Sequence, residues 1–299
     1  MLLYLDYMCT TIRPDGLISY GLGDWLHAGR QADDAKSPTE FVNTVLSMDI
    51  CEKAAYMFGE LNLEEQKQFA LGIYARLRRA AREHLIDTNT MTALGRCQTS
   101  QAMAIFYSLF EPAEKPEAIR RLVELVHEQD DHMDVGIVGA QVLFHVLSEG
   151  GYGELAYEMI VRPDFPSYGQ WLEGDATTLR EWVWPEDRDS LNHHFRGDIS
   201  HWFIRRLAGI HYNPRRNGKE LDIKPDFIKQ LDFASGWHLA PEGKISVNWT
   251  RNEEGVLLEV EAPAGLSGRI ILPKGYVFAA DGMAYRPLWS GSYQVRKMH

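Results

Sequence analysis

The sequence predicts a mainly α-helical chain that ends in an all-β domain. Apolar residues recur at helical spacing in successive segments from residue 37 to about residue 211. After about residue 212 the pattern changes to short runs of branched and aromatic residues with polar alternation, which is typical of strands. No signature repeats at a fixed period, which disfavours a repeat solenoid. We therefore expect a helical domain over residues 1–212 and an antiparallel β-sandwich over residues 213–299.

The first two predicted helices have recognisable starts. Ser37, Pro38 and Glu40 match a capping residue, a first helical position and a capping-box acid. Asn62 and Glu65 repeat this capping pattern at the start of the second helix. One apolar stripe of the second helix is expected to be buried by its neighbour; it consists of Phe69, Ile73, Leu77 and Ala81.

Five further helices follow, separated by Gly, Pro, Asp or Asn. Because the connections are short, consecutive helices are expected to be antiparallel neighbours, which leaves a bundle, a helical solenoid or a closed ring of hairpins open. The segments read QTSQAMAIFYSLF, PEAIRRLVELVHEQ, GIVGAQVLFHVLSEG, YGELAYEMIV and DISHWFIRRLAGI.

The predicted β-domain follows a polar, proline-punctuated stretch, residues 210–227, which we interpret as the boundary between the domains. Gly or Pro bounds each predicted strand, as expected for short antiparallel strands. The predicted strands read KISVNWT, GVLLEVEAP, SGRIILP, YVFAAD and SYQVRKM.

Composition excludes several classes of function. The net charge of -11 disfavours a nucleic-acid partner, because a polyanion would be repelled over most of the surface. The three cysteines are widely spaced and fit neither a disulfide framework nor a zinc site, so we expect no metal and no cofactor. No segment is long and apolar enough to span a membrane, and no signal peptide is evident, which leaves the cytoplasm and the periplasm open as locations. Eight tryptophans and thirteen tyrosines offer flat faces on which sugar rings stack.

A few polar residues in the helical part could carry chemistry. Glu181 lies among apolar and aromatic residues, where desolvation could tune its protonation, although a solvated or salt-bridged glutamate is the simpler alternative. Asp24 could accept a ligand hydroxyl beside a stacking Trp25, or it could cap the next helix. His193 and His194 are adjacent, so a shared metal is disfavoured, and one of them is expected to bind a hydroxyl. No Walker loop, nucleophile elbow, zinc-protease motif or dinucleotide fingerprint occurs.

Seven segments in order resemble the bacterial α-L-rhamnosidases of glycoside hydrolase family 78. The resemblance covers roughly residues 1 to 228, and the later strands resemble that family's C-terminal β-domain. It implies an (α/α)6 toroid and an inverting mechanism with two carboxyl groups. It also implies that Glu181 is the general base and that Trp25, His193 and, on weaker grounds, Asp24 bind the sugar. The segments are DGLISYGLGDWL, SPTEFVNT, QTSQA, GIVGAQVLFHVLSEGGYGELAYEMI, FPSYGQWLEGDATTLREW, SLNHHFRGDISHWFIRRLAGI and IKPDF.

The sequence departs from the family pattern in two ways. Asp175 and Arg180 replace the usual glycine and tryptophan before the base, and the added arginine suggests an acidic neighbouring sugar in the substrate. The acidic motif that holds the family's general acid, D-x-x-x-x-D-E followed by G-W-T-G-D, does not occur. With about eight helices counted and twelve needed, we expect an incomplete toroid, as in the C-terminal part of a longer enzyme or a truncated product. The expected partners are a carbohydrate substrate and either the missing N-terminal part or a second copy.

Three functions follow as hypotheses. The first is an α-L-rhamnosidase, or a fragment of one with little activity alone, that removes terminal L-rhamnose from glycosides or plant polysaccharide. The second is a non-catalytic sugar-binding or assembly module derived from such an enzyme. The third is a related toroid enzyme that acts on another deoxy sugar or on a uronide.

Overall fold

The computed structural model describes residues 1–27, 36–172, 176–181, 184, 190–213 and 220–298. Contacts divide the chain into two compact units. The first consists of Met1–Gly151 and Glu158–Arg196, and the second of Tyr152–Tyr157 and Gly197–His299. The predicted boundary after residue 212 stays a prediction. None of the helices in the described ranges has the length and apolarity needed to cross a bilayer.

Helices dominate the first unit. Their bounds are α1 Leu2–Thr11, α2 Thr39–Glu60, α3 Glu64–Leu85, α4 Gln98–Phe106, α5 Lys115–His127, α6 Ile137–Glu149, α7 Gly153–Val161 and α8 Tyr168–Trp171, with β1 Ile86–Asp87 and β2 Thr92–Ala93 pairing as a short antiparallel hairpin. The first part of α7 lies within Tyr152–Tyr157 and so belongs to the second unit. The mainly helical prediction is confirmed, although α1 and the hairpin were not predicted.

Helices α2 and α3 form an extensively packed hairpin. The predicted stripe on α3 is confirmed for Ile73, Leu77 and Ala81, which are buried. It is wrong for Phe69, which is 38% exposed, because the smaller Ala70 takes the buried place one residue further on. The predicted cap at Ser37 is also wrong: this hydroxyl lies 2.8 Å from the Ser100 hydroxyl and does not cap α2.

Helix α4 is buried from Gln98 to Ile105 and packs against α5 and α6. Its first turn is polar, and those side chains bind loops and so satisfy backbone groups that would otherwise be unpaired. The Gln98 amide accepts from the Asp134 N–H at 2.9 Å and donates to the His132 carbonyl at 2.9 Å. The Gln101 amide accepts from the Ala93 N–H at 2.8 Å. Helix α4 therefore fixes the loops around its own N-terminus.

Two sheets share one apolar core in the second unit. Branched and aromatic residues from both sheets fill this core, with Trp249 and Phe278 among the largest. Most pairs are antiparallel, as predicted, but β4 and β8 pair in parallel. The strands are β3 Ile210–Asn213, β4 Glu220–Ile223, β5 Phe233–Ala240, β6 Gly243–Asn252, β7 Gly255–Glu261, β8 Arg269–Ile271, β9 Tyr276–Phe278, β10 Tyr285–Pro287 and β11 Gly291–Lys297, in the orders β10-β8-β4-β3 and β5-β6-β7-β11-β9.

The segment between the helices and the sheets differs from its prediction. The last predicted helix is an α-helical turn, α9 Ile199–Trp202, continued by a π-helical turn, Phe203–Leu207. The stretch interpreted as the domain boundary supplies β3 and β4, whose inner residues Ile210, Leu221 and Ile223 are buried in the β core. Both strands are short and polar on the other face, which is why hydrophobic patterning alone missed them.

Candidate active site

Two chain segments hold Glu181 in place. The Glu181 N–H donates to the Ser190 carbonyl at 2.9 Å, and the His193 N–H donates to the Leu179 carbonyl at 2.7 Å. The Thr178 hydroxyl donates to the Leu191 carbonyl at 2.5 Å. Residues 178–181 and 190–193 thus run beside each other like two strands, although no strand is assigned there. This pairing places the side chains of Glu181 and His193 together.

The Glu181 carboxylate faces the His193 imidazole. His193 Nδ1 lies 3.5 Å from Glu181 Oε2, and the two side chains are 20% and 25% exposed. The Phe195 ring packs edge-on against the His193 ring, with centroids 4.0 Å apart, and limits its rotation. A carboxylate held beside an imidazole and partly open to solvent can accept a proton from water. The predicted pair Glu181 and His193 is therefore brought together.

Asp24 is buried and joins distant parts of the helical unit. Its Oδ2 accepts from the Thr99 hydroxyl at 2.5 Å and from the Gly136 N–H at 2.8 Å. Its Oδ1 accepts from the N–H groups of Val138 at 3.0 Å and Gly139 at 3.3 Å. The carboxylate thus caps the N-terminus of α6, where unpaired N–H groups and the helix dipole favour a negative charge. Both oxygens are engaged, so the structure gives Asp24 a positioning role, and its contact with a sugar stays a prediction.

Trp25 is half-buried beside this cap. Its carbonyl accepts from the Ile137 N–H at 2.8 Å, so side chain and backbone of consecutive residues both bind the start of α6. A Cβ atom on Gly136 would lie 2.3 Å from the Trp25 carbonyl oxygen. Only glycine therefore fits where the Asp24–Trp25 segment meets the helix.

Arg196, which the sequence did not single out, connects the segments of His193 and Trp25. Its guanidinium is buried and donates from Nη2 to the Leu26 carbonyl, while its own carbonyl accepts from the Tyr168 hydroxyl at 3.1 Å. Burial lowers the pKa of Arg196, while the nearby Tyr168 and Asp24 side chains act in the opposite direction. Leu26 has a φ of 58°, a strained value for a leucine that is typical of functional segments.

Asp134 holds the chain on both sides of residues 28–35. Asp134 Oδ1 lies 2.9 Å from His27 Nε2, and its Oδ2 lies 2.5 Å from Lys36 Nζ. Burial raises the pKa of the Asp134 carboxyl, but hydrogen bonds from His27 and Lys36 outweigh this effect and leave the pKa below its usual value. The Asp134 carboxylate therefore binds both His27 and Lys36.

Aromatic residues pack together in the chain segment that precedes Glu181. The rings of Phe165 and Trp184 stack with centroids 4.4 Å apart. Ser167 caps α8 by accepting from the Gln170 N–H at 2.9 Å, and Trp171 of α8 is fully buried under the Arg196 guanidinium. Asp175, which stands where the family usually has glycine, lies outside the described residues. Within the described part of the helical unit taken by itself, no three His, Cys, Asp or Glu side chains bring metal-ligand atoms together.

Two family descriptions match the chain in succession. Residues 1–207 match the bacterial alpha-L-rhamnosidase 6 hairpin glycosidase domain. Residues 209–279 match the bacterial alpha-L-rhamnosidase C-terminal domain. The first match covers well over half of the chain.

Individual relatives and solved structures agree with these matches. An alpha-L-rhamnosidase of Alteromonas sp. (strain LOR) is 29% identical in an alignment of 291 positions that covers 90% of this chain and 31% of that protein. An alpha-L-rhamnosidase of Streptomyces avermitilis is 25% identical in an alignment of 303 positions that covers 94% of this chain and 28% of that protein. The chain thus spans less than a third of the length of these curated relatives.

Similarity to solved structures concerns the fold. The structure of the Streptomyces avermitilis alpha-L-rhamnosidase complexed with L-rhamnose superposes with a TM-score of 0.83 at 23% identity, covering 98% of this chain and 29% of that one. The alpha-L-rhamnosidase from Dictyoglumus thermophilum superposes with a TM-score of 0.83 at 20% identity, covering 100% and 36%. At these identities the superpositions establish the arrangement of helices and strands.

Proposed function

The chain belongs to the bacterial alpha-L-rhamnosidase family, and from this membership we propose that it provides the water-activating side of an α-L-rhamnosidase site. Glu181 is the general base of an inverting hydrolysis. Its carboxylate takes a proton from water as the water oxygen bonds to C1 of the sugar and the bond from C1 to the glycosidic oxygen breaks. The observation that carries this proposal is the partly exposed Glu181 carboxylate 3.5 Å from His193.

The neighbouring residues orient the carboxylate and the sugar. His193 holds the Glu181 carboxylate and offers a ring nitrogen to a sugar hydroxyl. Trp25 offers an indole face to the sugar ring. Asp24 acts on the sugar through Trp25, since its carboxylate fixes the backbone from which the indole projects. Terminal L-rhamnose is the proposed sugar, and a preference for an acidic neighbouring sugar through Arg180 stays a prediction, tested by comparing neutral and uronate-linked rhamnosides.

The leaving group also needs a proton, and the sequence lacks the acidic motif expected to supply it. Loss of general-acid assistance costs about 10² to 10⁴ in rate, and this cost depends on the leaving group. A nitrophenolate departs without a proton, whereas an alkoxide does not. We therefore expect this polypeptide alone to release nitrophenol slowly from 4-nitrophenyl α-L-rhamnoside and to leave methyl α-L-rhamnoside intact.

The test compares these two substrates with the protein and two variants. Glu181→Gln should lower nitrophenol release by about 10² to 10⁴, because glutamine cannot accept the proton from water. Glu83→Gln, on an exposed position of α3, is the matched control and should leave the rate unchanged. Proton NMR of the first product should show the β anomer, as inversion requires. Equal and rapid turnover of both substrates would refute the claim that this polypeptide lacks a general acid. A Glu181→Gln rate equal to that of the Glu83→Gln control would refute the role of Glu181 as general base.

A sugar-binding or assembly module is the second candidate, favoured by the same missing motif. This function predicts that L-rhamnose binds without any hydrolysis of either substrate. Binding would then be unchanged by Glu181→Gln, since no proton transfer is involved. Titration of the two glutamine variants with L-rhamnose by calorimetry separates the two functions.

A further inference from the structure

The outer side of the five-stranded sheet carries an exposed tryptophan at its edge. Strand β5 is the outermost strand on one side of this sheet. Gly236 and Ala240 of β5 are buried, whereas Phe233, Trp237 and Leu239, on the other face of the strand, are 66%, 59% and 69% exposed. Tryptophan is normally well buried, so an indole in this position offers a large flat apolar surface to a ligand.

Strand β6 places polar side chains beside this indole. Trp237 is paired with Ser246, and Ser235 is paired with Asn248, so Asn248 is a diagonal neighbour of Trp237 on the same face, about 7 to 8 Å away. The Ser235 hydroxyl donates to Asn248 Oδ1. The NH2 group of Asn248 has no acceptor among the residues that the structure describes, so its two N–H donors are available to a ligand.

Three charged side chains complete this face of the sheet. The Lys244 ammonium lies 5.6 Å from the centre of the Trp237 ring. Glu259 of β7 is paired with Asn248, Glu261 lies two residues further along the same face, and both are exposed. Within the described ranges of the chain, none of these three charges belongs to an ion pair. Because the two carboxylates outnumber the ammonium, the face disfavours an acidic ligand.

A sugar matches this combination of groups. A pyranose ring has an apolar side made of C–H groups, which stacks on an indole, and a rim of hydroxyls that both donate and accept hydrogen bonds. Those hydroxyls can donate to the Glu259 carboxylate and accept from the Asn248 amide and the Lys244 ammonium. A protein partner with an apolar interface would instead bury the unpaired carboxylates of Glu259 and Glu261, which is costly. The face therefore favours a carbohydrate ligand.

We propose that this surface binds a neutral oligosaccharide, with one sugar ring stacked on Trp237. We call the surface the β5 face, formed by Phe233, Trp237, Lys244, Asn248 and Glu259. Phe233 and Trp237 lie four residues apart on one side of β5, about 13 Å along the strand, so the β5 face is longer than one sugar ring and suits a chain of sugars. The β5 face lies in the second unit and binds without cleaving, so this inference goes beyond the proposed hydrolysis and does not depend on it.

Calorimetry of the full chain tests the β5 face. The neutral probes are xylohexaose, cellohexaose and mannohexaose, and hexagalacturonate is the acidic probe. We expect a Kd of about 1 mM or tighter for at least one neutral probe. Trp237→Ala should weaken that binding at least about tenfold, because the stacking surface is lost, and Asn248→Ala should weaken it less. Trp289→Ala is the matched control, since it removes a tryptophan that is 65% exposed between β10 and β11, and it should leave binding unchanged.

The indole N–H signals in a proton–nitrogen NMR spectrum locate the bound sugar. The signals of Trp237 and Trp289 are assigned by their absence from the spectra of the two alanine variants. The Trp237 signal should move when the neutral probe is added, and the Trp289 signal should not. Trp237→Phe keeps a smaller ring and should weaken binding only a few fold, so it provides the comparison, together with Asn248→Ala, if Trp237→Ala does not fold.

The outcomes separate the β5 face from the candidate active site. Binding of a neutral probe that Trp237→Ala weakens and Trp289→Ala spares supports the β5 face, whatever the rate of rhamnoside hydrolysis. Binding that Trp25→Ala abolishes and Trp237→Ala leaves intact places the sugar at the candidate active site and overturns the proposal. Tighter binding of hexagalacturonate, no binding of any probe, or a dimer of this chain in sedimentation velocity that Trp237→Ala dissolves would also overturn it. The rate of Glu181→Gln on 4-nitrophenyl α-L-rhamnoside tests only the proposed function, so failure of either claim is recognised separately.

Discussion

Asp24 offers a graded test of the scaffold under the candidate site. Asp24→Ala removes the carboxylate that accepts hydrogen bonds from the Thr99 hydroxyl and from the N–H groups of Gly136, Val138 and Gly139. Breaking a buried charged network by removing one partner costs about 3 to 5 kcal/mol. Asp24→Asn keeps one acceptor oxygen and should cost about 1 to 3 kcal/mol, and Thr99→Val removes one donor and should cost about 1 kcal/mol.

Urea denaturation followed by far-UV circular dichroism measures this series. The expected order of destabilisation is Thr99→Val, then Asp24→Asn, then Asp24→Ala, because the number of lost or misdirected hydrogen bonds rises in that order. Sugar affinity should fall in the same order if Asp24 acts by positioning Trp25. A Thr99→Val variant as unstable as Asp24→Ala, or an Asp24→Ala variant within about 0.5 kcal/mol of the unchanged protein, would refute the reasoning.

Three further predictions concern other parts of the chain. Burial raises the pKa of Asp226 to about 6, although Arg206 opposes this. Ionisation of Asp226 therefore lowers the stability of the folded protein as the pH rises from about 4 to above 6. In denaturant titrations, Asp226→Asn should be more stable than the unchanged protein by about 1 to 3 kcal/mol at pH 8 and equally stable at pH 4. Gly139→Ala would place a Cβ 2.3 Å from Thr99 Oγ1 and should lower the free energy of unfolding by about 1 to 3 kcal/mol; an unchanged urea midpoint would contradict this packing. Burial and nearby cations lower the pKa of His211 to about 2, so its NMR ring signals should stay constant from pH 4 to pH 8, and a midpoint in that range would disprove the neutral state.

Periodicity predicted the buried faces of helices better than their ends. Ile73 and Leu77 follow a helical period, and burying that stripe dominates the local energetics. The expected cap at Ser37 failed because this residue has a tertiary partner, the Ser100 hydroxyl, which no local pattern can reveal. The expected cap at Asn62 is also wrong, since α3 begins after Leu63 and has no side-chain cap. The polar first turn of α4 behaves similarly, since Gln98 and Gln101 are buried by the loops that they bind.

In the candidate site, too, the sequence points to some residues, while the contacts of others depend on distant parts of the chain. Glu181 and His193 are candidates from their sequence context, the family resemblance assigns their roles, and backbone pairing brings them together. Arg196 escaped notice because an arginine in sequence signals a surface residue, and its role depends on a carbonyl 170 positions earlier. Asp24 was considered as a cap of the next helix, which is wrong, because it caps α6, a helix that begins more than a hundred residues later.

The Asp24 cap also bears on how the protein reaches its native state. Its contacts span 75 residues to Thr99 and 112 residues to Gly136. Contacts of such separation require large loops to close before they return any stabilisation, so they form late during folding. The first amides of α6 should therefore gain protection from hydrogen exchange only when the Trp25 segment docks. Competence to hold a sugar would then appear together with the last cooperative folding step.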